Sequence, residues 1–97
     1  MSYILRHSAS GEVFACMLIN VYQFDYYGVK CWEDEHTAQA EYGSALLLAG
    51  VDGLSEWAIT EIDDDKLKLL NVKLNNNPAR RVYMSDDGKI TVLKADR

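Results

Sequence analysis

A thiol and an imidazole lie five residues apart in this sequence, and three consecutive acids (residues 33–35) separate Cys31 from His36. Thiolate, imidazole and carboxylate are all groups that Zn²⁺ accepts as ligands. A closed zinc site needs four ligands, however, and the chain's other Cys and His residues are Cys16 and His7. A cysteine at a strand end, followed by an acidic helix start, explains the segment without a metal. We therefore predict no cofactor, and Cys31 with His36 remains the candidate metal pair.

The two cysteines are predicted to lie opposite each other across a hairpin whose turn is centred between Gln23 and Phe24. A disulfide between such strand neighbours is geometrically possible but often strained. Nearby acids should raise the pKa of both thiols, so we predict no nucleophilic cysteine. Two cysteines in 97 residues form no disulfide framework, and a reducing, cytoplasmic location fits them best.

Local structure also explains the charged clusters of the second half. Glu61 and the acidic run 63–65 offer carboxylates to Mg²⁺ or Ca²⁺, but successive helical residues point in different directions, and the EF-hand spacing is absent. Arg80 and Arg81 lie on a predicted strand, so they face opposite sides, and no Gly-rich phosphate loop accompanies them. We therefore predict that the protein is not an enzyme.

Aromatic residues gather around the first predicted hairpin. Because neighbours on a strand face opposite ways, the chain cannot bury all of them, and Phe24 with one of Tyr26 and Tyr27 should be exposed. Aromatic side chains dominate the binding energy of protein–protein contacts, although a half-covered sheet face would also explain them. The predicted interaction residues are Tyr22, Phe24, Tyr26, Tyr27 and Trp32.

The net charge of −5 argues against direct binding of nucleic acid or an anionic membrane, because both need clustered Lys and Arg. The charge is uneven along the chain: residues 1–62 carry −7 and residues 63–97 carry +2. Either the fold brings the two parts together, which we favour, or it presents faces of opposite sign. No apolar run is long enough to span a membrane, and the N-terminus lacks the layout of a secretory signal.

The elements that position these residues can be predicted from periodicity. Residues 3–7, 12–22 and 26–32 are predicted strands of an antiparallel meander, followed by a helix with Asp34 as its N-cap and Gly50 at its end. Gly43 inside this helix implies either a close neighbouring backbone or a loose helix. The predicted buried stripe of the helix is Ala38, Tyr42, Ala45, Leu46 and Ala49.

A further strand (55–62) is followed by a stretch, 66–74, that fits either a helix or a strand. We favour a helix, because three acids precede it and Asn75 with Pro78 ends it. A β-hairpin with Gly88 in its turn closes the chain. The sequence thus predicts one small α+β domain over 1–97, of order βββαβαββ, with a mostly antiparallel sheet and helices packed on one face.

Three function classes remain. The first is a small non-enzymatic protein-interaction module, such as an inhibitor, adaptor or accessory factor, that binds another protein or a second copy of itself. The second is a small-ligand or metal-binding domain, built on Cys31 and His36 or on an apolar pocket. The third is an acidic mimic of nucleic acid, of the kind that a bacterial, phage or mobile-element accessory gene encodes.

Overall fold

The computed structural model describes residues 1–94 and arranges them as two antiparallel sheets with two helices. The elements are β1 (Ser2–His7), β2 (Glu12–Val13), β3 (Ala15–Ile19), β4 (Asp25–Val29), α1 (Glu35–Leu48), β5 (Trp57–Ile62), α2 (Asp64–Leu74), β6 (Arg80–Met84) and β7 (Ile90–Lys94). A five-stranded sheet has the order β5-β1-β2-β6-β7, and β3 with β4 forms a separate two-stranded sheet. The predicted class, element order and antiparallel pairing are confirmed. Residues 95–97 of the predicted domain lie outside the described residues.

Strand β1 carries apolar side chains on both faces, and their contacts show which face of the sheet each helix covers. Ile4 and Leu5 are both fully buried, but consecutive strand residues point to opposite faces. Ile4 packs in a cluster with Leu70 and Leu74 of α2, whereas Leu5 packs in a second cluster with Leu46 of α1. The helices therefore cover opposite faces of the five-stranded sheet, and the prediction that they share one face is wrong.

The predicted strand 12–22 is divided in two at Phe14. The Phe14 N–H donates to Leu5 of β1, while its carbonyl accepts from Lys30 beyond β4, so the strand changes partner at this residue. Its buried ring packs against Trp57 on the α1 side, with ring centroids 6.0 Å apart. Up to Val13 the strand belongs to the large sheet; from Ala15 onward it projects as the β3–β4 hairpin.

The turn of this hairpin lies earlier than predicted. Asn20 begins it, because its side-chain Oδ1 accepts the N–H groups of both Tyr22 and Phe24, at 2.9 and 3.1 Å. Gln23 then takes a left-handed φ of 66°. The shifted turn pairs Cys16 with Gly28, so the prediction that Cys16 faces Cys31 is wrong, and both thiols are free.

Helix α1 begins and ends as predicted. Asp34 is its N-cap and accepts the Thr37 N–H at 2.7 Å, and Gly50 follows the last turn with a φ of 72°. Ala38 and Leu46 are buried, and Tyr42 and Ala45 pack against them at the edge of the cluster. Ala49 is exposed, so its predicted place in the buried stripe is wrong: the helix has reached its C-cap there and passed the edge of the sheet.

Gly43 meets open space, which excludes the predicted close approach of a neighbouring backbone. A Cβ built at this position has no heavy atom within 4 Å, and the residue lies in the middle of α1. We expect Gly43→Ala to raise the free energy of unfolding by about 0.5–1 kcal/mol, because Ala loses less backbone entropy in a helix. Urea unfolding followed by circular dichroism measures the change; a destabilised variant would show that the glycine serves a contact outside this chain.

The second half of the chain matches its predicted elements. Residues 66–74 are helical, as favoured, and the Asp63 carboxylate caps α2 by accepting the Lys66 N–H at 2.7 Å. Asn75 ends the helix with a left-handed φ of 52°. The β6–β7 hairpin is confirmed, with Gly88 at a φ of 86° in its turn.

Candidate functional site

The β3–β4 hairpin projects from the domain and is attached to it along one edge. Two asparagines of the α2 region hold β4 through its backbone: Asn71 Oδ1 accepts the Val29 N–H at 2.9 Å, and Asn76 Oδ1 accepts the Tyr27 N–H at 2.7 Å. Gly28 lies between these two sites, and a Cβ there would meet Asn71 Oδ1 at 3.1 Å. The glycine thus lets the helix approach the strand closely enough for the amide to reach it.

Large apolar side chains extend outward along β3 and around the tip of the hairpin. We call the five residues the hairpin surface: Met17 (56% exposed), Ile19 (65%), Val21 (86%), Tyr22 (76%) and Phe24 (68%). No residue from 13 to 24 carries a charge. Isolated exposed hydrophobic residues are ordinary in soluble proteins, but a contiguous, uncharged group of five is typical of a surface that another molecule covers.

The structure divides the five predicted interaction residues between surface and core. Tyr22 and Phe24 lie exposed at the tip, and Tyr26 is half-buried. Tyr27 and Trp32 are 9% and 5% exposed, because they belong to the two core clusters. Phe24 is exposed as predicted, but the prediction that one of Tyr26 and Tyr27 is exposed is wrong, because Tyr26 is half-buried and Tyr27 is buried.

The polar ends of the two buried aromatics have partners within the chain. The Tyr27 hydroxyl accepts from Arg81 Nη1 at 3.1 Å, and the Trp32 Nε1–H donates to Glu41 at 2.9 Å. Lys30 Nζ lies 5.3 Å from the centre of the Trp32 ring, which adds a cation–π contact. These contacts make Tyr27 and Trp32 structural residues of the hairpin base.

Sequence reasoning missed the aliphatic members of the hairpin surface. Met17, Ile19 and Val21 lie within the long predicted strand 12–22, but that strand leaves the large sheet at Phe14. The detectable signal was the uncharged stretch 13–24, since an edge strand of a monomer usually carries a charge. The run Leu46-Leu47-Leu48 on α1 is a second signal that apolar surface stays exposed, because three consecutive helical residues cannot all face one core. Leu48 is 90% exposed.

An open cleft of about 810 Å³ lies beside the hairpin, where β3 separates from β6. Phe14 and Trp57 contribute its aromatic lining, Leu48 lies at the end of α1, and Lys30 and Arg81 bring positive charge. Arg81 Nη1 is already bonded to the Tyr27 hydroxyl and to the Pro78 carbonyl, at 3.1 and 2.8 Å. The cleft therefore offers mainly apolar contact surface.

Within residues 1–94, no group of three or more His, Cys, Asp and Glu side chains is arranged to hold a metal ion. His36 is exposed, and His7 Nε2 lies 2.9 Å from Glu56. Burial raises the pKa of the Cys16 thiol, and Lys30 opposes this effect. Desolvation also raises the pKa of Cys31, and the carboxylates of Asp64 and Glu33 add to it, so neither thiol is activated as a nucleophile.

Acidic residues from both helix starts lie around the N-terminal strand. Glu61 accepts the Tyr3 hydroxyl at 2.9 Å, and this bond, together with desolvation and the charges of Glu61, Glu35 and Asp34, raises the Tyr3 pKa. Hydrogen bonds from Thr37 lower the pKa of Asp34. Most of these carboxylates are therefore engaged in caps and side-chain contacts of their own chain.

Neither helix of the described part of the chain is long and apolar enough to cross a membrane. Comparison with models of protein families, with curated proteins and with solved structures found no match to this chain.

Proposed function

We propose that this chain is a small non-enzymatic protein-interaction domain that docks onto its partner through the hairpin surface. The observation that carries the proposal is the concentration of exposed apolar side chains along one uncharged stretch of the hairpin, from Met17 to Phe24, with Asp25 as the first charge beyond it. Two of the five are aromatic, the residue class enriched in the energetic centres of protein interfaces. The projection is held in place by its base, so little order has to be gained on docking.

The two alternatives have weaker support. A small-ligand domain would use the cleft beside β3, but its two cations are already engaged, Arg81 in hydrogen bonds and Lys30 on Trp32. The carboxylates of Glu12 and Asp52 are the charged groups that remain for a ligand. A nucleic-acid mimic would need free carboxylates spaced like phosphates, and Asp34 and Asp63 are helix caps. Docking by apolar contact would use the side chains that the fold leaves exposed. The proposed location is a reducing cytoplasm, in which both thiols stay free.

Site-specific photocross-linking in producing cells tests the proposal directly. With p-benzoylphenylalanine incorporated at Phe24, we expect a cross-linked product, because this ring is exposed at the tip of the docking surface. The matched control is incorporation at Leu93, which is 55% exposed on β7, away from the hairpin. The added substitution Tyr22→Ser should reduce the yield from position 24 several-fold, as expected for the loss of an aromatic contact.

The purified double variant Tyr22→Ser/Phe24→Ser should keep its thermal stability, with a change in unfolding free energy within about 0.5 kcal/mol. Circular dichroism melts measure it, with Leu93→Ser as the control. A variant that unfolds would place these rings in the core. Equal cross-linking from positions 24 and 93 would also refute the proposal, because the hairpin would then have no preferred partner.

A further inference from the structure

We infer that the hairpin surface is occupied by a second copy of this chain, and that the free edges of the two β3 strands pair antiparallel across a two-fold axis. This inference rests on the proposed function and names its partner. It follows from three properties of β3: the direction of its backbone groups, the absence of charge along its edge, and the area that it leaves exposed.

The direction of the backbone groups follows from the partners of β4. The N–H groups of Tyr27 and Val29 point away from β3, because they donate to Asn76 and Asn71. Such residues form the non-hydrogen-bonded pairs of an antiparallel ladder. Their opposite residues are Met17 and Ala15, so the N–H and C=O groups of these two point away from β4, toward the outer edge of β3.

No strand of residues 1–94 pairs with this outer edge, although the opposite edge of the hairpin is covered by the α2 asparagines. The outer strands of the large sheet carry charge, Glu61 in β5 and Lys94 in β7, which discourages pairing with another chain. Strand β3 carries none. Among the edge strands of the described residues, β3 is thus the strand whose side chains carry no charge that would discourage pairing with another chain.

Charge and area favour a second copy as the occupant. Each chain has a net charge of −5, so two copies repel wherever charged surfaces meet, and the neutral stretch 13–24 offers a contact free of that repulsion. The exposed parts of the hairpin surface amount to roughly 500 Å² of apolar area. A standard interface buries about 800 Å² per partner, and the paired β3 backbones with the half-buried Leu18 supply much of the remainder.

Antiparallel pairing also explains the cleft beside β3. When Met17 lies near the two-fold axis, the strand extends about 10 Å beyond it to the turn at Asn20, which is the level of residue 14 of the other copy. The hairpin tip with Tyr22 then lies beside the other copy's cleft, which Phe14 and Leu48 line. Each copy thereby covers the exposed aromatic tip of the other, and the contact is closed and symmetric.

Sedimentation equilibrium over a dilution series tests the pairing. We expect the wild type to have twice the 11.0 kDa mass of one chain. Met17→Lys should convert it to a monomer, because Met17 lies at the two-fold axis and like charges then face each other directly. Met17→Pro should raise the dissociation constant by about tenfold or more, since it removes an outward N–H from each copy and leaves the bonds to β4 intact. The control Thr91→Lys places the same charge on β7 and should leave the mass unchanged.

The possible outcomes separate this inference from the proposed function. A monomeric wild type at every dilution overturns the pairing, and so does a mass above that of two chains, which would indicate open-ended contacts. A two-chain assembly that survives both Met17→Lys and Met17→Pro, or that is lost in Thr91→Lys, overturns it as well. In all these cases the proposed function stands if Phe24 still cross-links to another protein; it fails only if the hairpin shows no preferred partner or proves to be core.

Discussion

Replacing Leu5 by Ala is expected to lower the free energy of unfolding by about 2–5 kcal/mol, and Ile4→Ala should cost a similar amount. Both side chains are fully buried, yet they lie in different clusters on opposite faces of the sheet. Each substitution removes buried apolar volume and leaves a cavity that the surrounding side chains fill only in part. For a domain of this size, either change is a large fraction of the total stability.

The two variants should differ in their tryptophan fluorescence. Trp32 and Trp57 both belong to the cluster on the α1 side, together with Leu5. The cavity left by Leu5→Ala should therefore shift the native-state emission, whereas Ile4→Ala should leave the native spectrum unchanged while it destabilises the protein. Urea unfolding followed by fluorescence measures both effects in one experiment.

Leu47→Ala provides the matched control, because this leucine is 67% exposed and its loss should change the stability by no more than about 0.5 kcal/mol. Equal spectral changes in the Leu5 and Ile4 variants would mean that the two faces form a single core. A mild effect of either substitution would mean that one helix packs loosely on the sheet.

Sequence reasoning succeeded where a local signal determines the structure. Asp34 and Asp63 each cap a helix with their own carboxylate, and Gly88 supplies the left-handed residue of a turn. These features depend on residues within one turn of each other, so composition and spacing reveal them. The class and order of the elements follow, because each element has such a start and stop.

Long-range pairing explains what was missed. Phe14 ends one strand and begins the next because its N–H and C=O bond to different parts of the chain, Leu5 and Lys30, and neither partner can be identified from nearby sequence. The displaced turn has a local cause, the side-chain bonds of Asn20, but the apolar alternation through Val21 concealed it. The exposure of the hairpin depends on both the strand break at Phe14 and the turn at Asn20. The sequence therefore predicted the site from its aromatic residues and missed the aliphatic residues Met17, Ile19 and Val21.

Asn71→Leu is the second substitution for which we expect a large effect, a loss of about 1–3 kcal/mol in the free energy of unfolding. Leu has the same branching and number of heavy atoms as Asn but no acceptor, so the N–H of Val29, a residue that is 2% exposed, loses the bond that it makes to Asn71 Oδ1. Leaving a buried donor without an acceptor costs its full desolvation energy. The loss falls on the contact that attaches the hairpin to α2.

Hydrogen exchange locates the effect. The amide of Val29 should exchange about tenfold faster or more in Asn71→Leu. The amide of Gly28, which faces β3 in the ladder, should change less, because the hairpin itself stays paired. Asn71→Asp is the control: it retains an acceptor at the same position and loses only the smaller contribution of a negative charge near the C-terminal end of a helix. Unchanged exchange at Val29 in the Leu variant would show that another group replaces the amide.

The same amide determines how many edges the hairpin offers. With Asn71 in place, α2 covers β4 and leaves β3 as the open edge of the hairpin, so the inferred pairing would stop at two copies. Asn71→Leu removes one of the two bonds that cover β4 and leaves the outward N–H of Val29 open, so the hairpin can then pair on this side as well. We therefore expect the variant to form heterogeneous species above the mass of two chains in light scattering, while Asn71→Asp does not. If Asn71→Leu remains as uniform in mass as the wild type, the edge of β4 is closed by something other than this contact.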